Sequence, residues 1–285
     1  TQLIDWWHAP VPGENFDHRG NLISSVIRPG AIYGLNEVVN ISATSTFGIR
    51  TMKYDGENES VHHRDEHTGN DFDNAKGGYL GDTKIVLRYL LKNTGVGDGY
   101  RIIMGGGLNI PSKNTLTKNP FLKVDNEYIP HRHFSMSNGT YNLISEFQFY
   151  YKRTANPVFF GGNISFEKPL KENSYYYLPP SSLKIMLSTI YKTFDKIDGS
   201  IDFSLSLESL SKAYWNDVHS PNSSAFIATP SIGYILSTRL GAIGVNLQKP
   251  IFLEGSFAAN EGNLDQETEV WQIVLSFRSM ASKLN

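Results

Sequence analysis

The sequence predicts an all-β chain closed into a transmembrane antiparallel barrel of about twelve strands, of the bacterial outer-membrane type. Three observations lead there. Stretches of about ten residues alternate apolar with polar side chains about eleven times, and a strand of that period has one wet and one apolar face. Short turns and long polar loops alternate along the chain, as they do in outer-membrane barrels. Helical periodicity is nearly absent, and no apolar run approaches the ~18 residues that a membrane helix needs. So much two-faced sheet is more than an ordinary soluble core accommodates in 285 residues. Closed in lipid with the apolar side out and the polar side in, it satisfies both faces.

The N-terminal segment, residues 1–22, opens with TQLIDWWHAPVPGENFDHRG, whose Pro and Gly breakers make it a poor strand. Loop parity still needs a crossing there for an even count, so a strand near 1–9 is expected, with a lumen-filling segment as the alternative. Residues 23–285 are expected to form the rest of the barrel, with strands near 23–34, 37–52, 80–93, 98–111, 138–153, 157–167, 182–196, 199–211, 223–238, 240–254 and 266–279. In 37–52, Val39, Ile41, Ala43, Phe47 and Ile49 oppose Asn40, Ser42, Thr44, Thr46 and Arg50. In 80–93, Ile85, Leu87, Tyr89 and Leu91 oppose Lys84, Arg88 and Lys92, and in 138–153 Leu143, Phe147 and Phe149 oppose Asn142, Glu146 and Gln148. In 200–210 the rows are Ile201, Phe203, Leu205 and Leu207 against Asp202, Ser204, Ser206 and Glu208. The last strand sets Trp271, Ile273, Leu275 and Phe277 against Gln272, Ser276 and Arg278. Short links fall at Gly34–Asn36, Asn93–Asp98, Thr154–Pro157, Lys196–Gly199 and Arg239–Gly241, and long polar loops near 54–80, 112–137, 168–181, 212–222 and 255–265.

Composition narrows the function classes. A net charge of −2 and the lack of a basic run with interleaved aromatics exclude a general nucleic-acid binder. The 15 Tyr, 16 Phe and 4 Trp suit sheet surfaces and membrane-interface belts, so membrane lipid is an expected partner. Zero cysteines exclude disulfides, thiolate metal sites and cysteine nucleophiles. No charged-then-apolar leader opens the chain, so any secretion signal is expected to have been removed.

Gly78–Leu91 (GYLGDTKIVLRYLL) and Ile27–Thr44 (IRPGAIYGLNEVVNISAT) resemble the bacterial outer-membrane family known as "MetA-pathway of phenol degradation" or transporter proteins. The corresponding residues are Tyr33, Gly34 and Leu35, then Gly78, Gly81, Asp82, Arg88 and Tyr89. His131–Phe147 is similar to the family's glycine-rich approach to the next strand, with Ser137, Asn138, Gly139, Thr140 and Tyr141 keeping it loosely, and Asn246–Gly255 to its penultimate strand. The resemblance implies a barrel of the bacterial outer membrane with a transport role and no defined substrate.

Two constellations carry chemistry. His62, His63 and His67 share one long loop with Asp65, Glu66, Asp71 and Asp73, and His131 and His133 stand in the next long loop on the same side. Imidazoles with carboxylates suit a divalent metal such as Zn²⁺, Cu²⁺ or Ni²⁺. The spacing matches no established ligand signature, and a solvated polar loop is the alternative. His8 and His18 strengthen the metal reading only if the N-terminal segment folds against the same rim. On the inward parity stand Arg50, Lys84, Arg88, Lys92, Arg101, Lys152, Lys184 and Lys192 against Glu146, Glu167, Asp202 and Glu208. A cationic excess there favours anionic or electron-rich solutes through a focused field. A salt-bridge lattice filling a narrow barrel is the alternative.

The Gly105–Gly107 triplet follows no strand-to-helix switch, so it reads as a bend or close approach, not a phosphate loop. No Gly-x-Ser-x-Gly nucleophile elbow exists, and no enzymatic reaction is expected. Trp6, Trp7 and Tyr175–Tyr177 fit interface anchors or packed loop aromatics. The leading expectation is a channel or transporter for a small solute. A non-conducting accessory subunit bound to outer-membrane partner proteins and a metal-binding surface protein are the alternatives.

Overall fold

In the computed structural model the alternating segments pair in one continuous antiparallel ring. The structure describes all residues except 11–14, 57, 59, 61–62, 126, 129–131, 194–198, 221–222, 256–265 and 281–285. The ring runs β1 (Gln2–His8), β2 (His18–Ile27), β3 (Val39–Tyr54), β4 (Leu80–Asn93), β5 (Gly99–Ile110) and β6 (Asn142–Lys152). It continues through β7 (Phe159–Pro169), β8 (Ser182–Lys192), β9 (Gly199–Leu210), β10 (Ala225–Thr238), β11 (Gly241–Gln248) and β12 (Gln266–Arg278). Each strand pairs with the next in the chain, and β12 returns to β1, where Gln2 faces Gln272 and His8 faces Gln266. Closure leaves no edge strand, as a sheet in lipid requires. The chain is thus an all-β barrel of twelve antiparallel strands.

Two strands break where a proline removes the ladder N–H. After Pro29, Gly30–Gly34 resumes β2 against β3, and after Pro250, Ile251–Gly255 resumes β11 against β10. Pairing of the second strand begins at His18, ahead of the expected 23, and that of the sixth at Asn142, behind the expected 138. At the short-turn end, Asn36 Oδ1 accepts the amides of Val38 and Val39 at 2.9 and 2.8 Å. Gly95 and Gly97 supply left-handed φ values of 76° and 81° in the next turn.

Burial is inverted relative to a water-soluble protein. Leu275 is 75% exposed and Phe277 63%, while His18, Thr68, Asn74 and Arg132 are 0% exposed. Outward rows such as Leu143, Phe147, Ile164 and Phe166 are exposed apolar side chains, and the inward neighbours Asn142, Ser42 and Asn109 are buried. An eleven-residue strand such as β6, tilted about 40°, spans about 28 Å, the height of a hydrocarbon layer. The outer surface turns polar above Leu3 and Trp271, at Asp5, Glu269, Arg19 and Lys53, which marks one rim of the apolar band. Tyr100, Phe149 and Tyr151 cluster on the outer face near the short-turn end, as an interface belt does.

The long-loop end is filled. Residues 132–140 fold inward against β3 and β4: Met136 packs on Gly48, and Arg50 Nη1 donates to the Ser135 carbonyl at 3.1 Å. Beside them stands a small sheet, Tyr177–Leu178 with Tyr214–Trp215 and Val218–His219, whose tight turn places Asn216 and Asp217 at positive φ.

Candidate functional site

The inner wall is built by period-2 alternation, and cross-strand register decides which charges meet. Arg88, Gly105 and Glu146 lie side by side on β4, β5 and β6. With no side chain on Gly105, the Arg88 guanidinium reaches the Glu146 carboxylate, and Arg88 Nη1 also donates to Ser42 Oγ at 2.6 Å. Gln148 Nε2 donates to Glu146 at 2.9 Å and itself accepts Tyr150 OH at 3.2 Å, so the row is one connected chain. Lys84 pairs with Glu167, which also accepts Asn142 Nδ2 at 2.8 Å. Lys184 reaches Glu208 at 3.4 Å, with Ser182 Oγ on the same carboxylate at 3.1 Å.

The expected cationic wall is therefore largely paired along its middle. Lys92 departs from it altogether: a register shift between Leu90 and Lys92 sets Lys92 against Ile102, and its ammonium lies 5.8 Å from the Tyr100 ring on the outer face. A bulge reverses parity, which period-2 counting misses. Arg50 lies beneath the inward segment, bonded to Ser24 Oγ at 3.2 Å and Ser135 O. Arg101, Lys152, Lys192 and Arg278 occupy inward registers at the short-turn end, with Asp202 near them on β9. Lys152 Nζ donates to the Gly95 carbonyl at 2.7 Å, and Arg101 and Asp202 have no ion pair among the described residues.

Toward the long loops lies a cavity of about 370 Å³, lined by Phe121, Arg132, Ser135, Ser137, Tyr177 and Trp215 among others. Tyr177 and Trp215 stack at 4.7 Å, and burial raises the Tyr177 pKa, keeping its hydroxyl neutral. Arg132 Nη1 donates to the Thr68 carbonyl at 2.9 Å, while Nε and Nη2 have no partner among the described residues. Burial lowers the Arg132 pKa and Glu66 and Asp71 oppose that shift, so a charged donor stands at the cavity wall. Sequence reasoning missed Arg132 because it lies in a loop with no period to read.

The histidines regroup across elements. His62 and His131 lie outside the described residues. His67 stands apart: its Nδ1 accepts the Gly69 amide at 3.0 Å and its ring meets Tyr79. His63 instead joins His8 and His18, their ligand atoms all within 4.8 Å of one another. Antiparallel pairing sets His8 opposite His18 on β1 and β2, both inward, so the N-terminal segment does fold against this rim. His133 stacks on His63 at 5.3 Å and donates Nδ1–H to the buried Glu66 carboxylate at 2.7 Å. Alternation splits the two tryptophans: Trp6 packs on His63 at 4.5 Å, and Trp7 points outward and donates to Asp17 at 3.3 Å.

Comparison with solved structures finds a likeness in fold. The COG4313 outer membrane channel from Pseudomonas putida F1, a crystal structure, is similar over 97% of this chain and 94% of that chain. The TM-score is 0.52 and the sequence identity 10%, so what is shared is the fold. No family model matches the chain. No curated protein matches it either.

Proposed function

We propose that this barrel resides in the bacterial outer membrane and passes a small solute, held between an outer cavity and a basic inner mouth. The observation that carries the reading is a closed ring with an apolar exterior and a polar interior, a construction that hides polar groups from lipid. Membrane lipid and the solute are its partners, and catalysis plays no part in it. The likeness to an outer membrane channel supports the same reading. The paired charges Lys84–Glu167, Arg88–Glu146 and Lys184–Glu208 hold the wall's shape. Arg101, Lys152, Lys192 and Arg278 outnumber Asp202 in the inward strand registers at the short-turn end, so the field inside that mouth favours anionic or electron-rich solutes. At the other end, the Arg132 guanidinium beside Tyr177 and Trp215 offers a charged donor next to aromatic faces.

Planar-bilayer recording of the pure folded protein tests this. Ion current with anion preference in a salt gradient is expected, and the double variant Arg101→Gln, Arg278→Gln is expected to lose that preference. Absence of current ends the channel reading. Current with unchanged preference in the double variant removes the basic mouth as the selectivity element. The inward fold of residues 132–140 favours a second reading, a closed accessory barrel that binds other outer-membrane proteins. Silence in bilayers together with co-purification of a partner would favour it.

A further inference from the structure

Three imidazoles from three separate pieces of chain converge at the rim of this barrel. His8 ends β1, His18 begins β2, and His63 comes from the loop that follows β3. We propose that His8, His18 and His63 bind a divalent cation of the zinc, nickel or copper class, which pins that loop to the β1–β2 wall.

Distance comes first. The three ligand atoms lie within 4.8 Å of one another, and His8 Nε2 is 2.8 Å from His63 Nε2. Nitrogens on one tetrahedral zinc, bonded at 2.0–2.1 Å, stand about 3.3 Å apart. The observed spread brackets that value, so side-chain rotations of well under a residue's length bring all three onto one ion.

Orientation is set as well. His8 Nδ1 donates to the Ala9 carbonyl at 2.7 Å, which leaves the Nε2 lone pair aimed at the cluster. A backbone carbonyl on the far nitrogen is the common way to fix a ligating histidine. His8 Nε2 then faces His63 Nε2 across one shared proton, and a cation entering between them takes the place of that proton, which is released to solvent.

The surroundings suit imidazole ligation. His18 is 0% exposed, and Trp6, Phe16 and Tyr54 pack around the three rings. Among the described residues, no carboxylate belongs to the group. An all-nitrogen set selects zinc, nickel or copper over calcium and magnesium, which take oxygen ligands. Three ligands leave a fourth position for water or for a neighbour. His133 stacks against His63 and is held by Glu66, so a further oriented imidazole stands beside the site. The site needs neither conduction nor a transported solute, so it stands independently of the channel reading.

Equilibrium dialysis of Zn²⁺ against the folded barrel in detergent, purified without a polyhistidine tag, tests the proposal. One zinc per chain is expected, retained in excess Mg²⁺. His63→Ala, a loop substitution that leaves strand pairing intact, is expected to weaken binding about 100-fold or more, and His8→Gln to do likewise. His67→Ala, outside the cluster, is expected to bind as wild type. Zinc should also raise the unfolding temperature of wild type and leave that of His63→Ala unchanged. No stoichiometric zinc on wild type overturns the proposal. Equal binding by His63→Ala and His8→Gln overturns it, and so does an equal loss in His67→Ala.

Discussion

Gly105 shows what a single position does in the inner wall. It lies in register between Arg88 and Glu146, and a Cβ placed there would stand 2.6 Å from Glu146 Cγ. The missing side chain is what lets two long charged groups meet across a strand. Both are mostly shielded, with side chains 18% and 9% exposed. Separating such a pair leaves each charge uncompensated, at a cost of about 3 kcal/mol. Gly105→Val is therefore expected to lower the unfolding midpoint as far as Glu146→Gln does, and the double variant to be no worse than either single one. The folded-to-unfolded mobility shift of the heated barrel reads all three. A wild-type midpoint for Gly105→Val would show that the pair does not depend on the gap. Alternation alone turns Arg88 and Glu146 inward, so that much was legible in the sequence. Their partnership was not, because register between strands is set by turns and neighbours.

Elements differ in how much of themselves the sequence exposes. The long strands were legible because each carries its own period, and β4, β9 and β12 fall within about two residues of expectation. Strand β1 spans seven residues, too few for a clear period beside prolines, so loop parity rather than alternation asked for a crossing near 1–9. Lys92 was misread because a bulge reverses the face of everything after it. The inward segment 132–140 has no period at all, so alternation does not foretell it. That segment is held by a charged donor, Arg132 Nη1 on the Thr68 carbonyl, and by Arg50 on the Ser135 carbonyl. A hydrogen bond from a charged group contributes about 1.5–3 kcal/mol. Arg132→Ala is thus expected to raise the released population of the segment about 10-fold or more. In bilayers the expected sign is larger or more frequent openings than in wild type. Identical conductance and gating in Arg132→Ala would show that the segment does not restrict the path.

At the scale of the molecule, everything depends on which row of side chains meets lipid. The histidine cluster shows the reach of closure: His8 and His18 meet only because β1 pairs with β2, and His63 only because a loop returns over that pair. No spacing along the chain encodes such a meeting. The two faces of β6 offer the sharpest test of the whole arrangement. Phe147 points outward at mid-strand, in register with the exposed Met104 and Ile164, while Gln148 points inward onto Glu146. An arginine at the lipid-facing midplane costs about 2–4 kcal/mol, and one on the lumen side is solvated or paired. Phe147→Arg is expected to lose that much stability in lipid vesicles, measured by denaturant titration, and Gln148→Arg to stay near wild type. Adjacent residues with nearly the same backbone environment make the comparison independent of strand propensity. Were water to wet the exterior instead, the order would reverse, because Phe147→Arg would then merely replace one exposed side chain by another while Gln148→Arg crowded a packed interior.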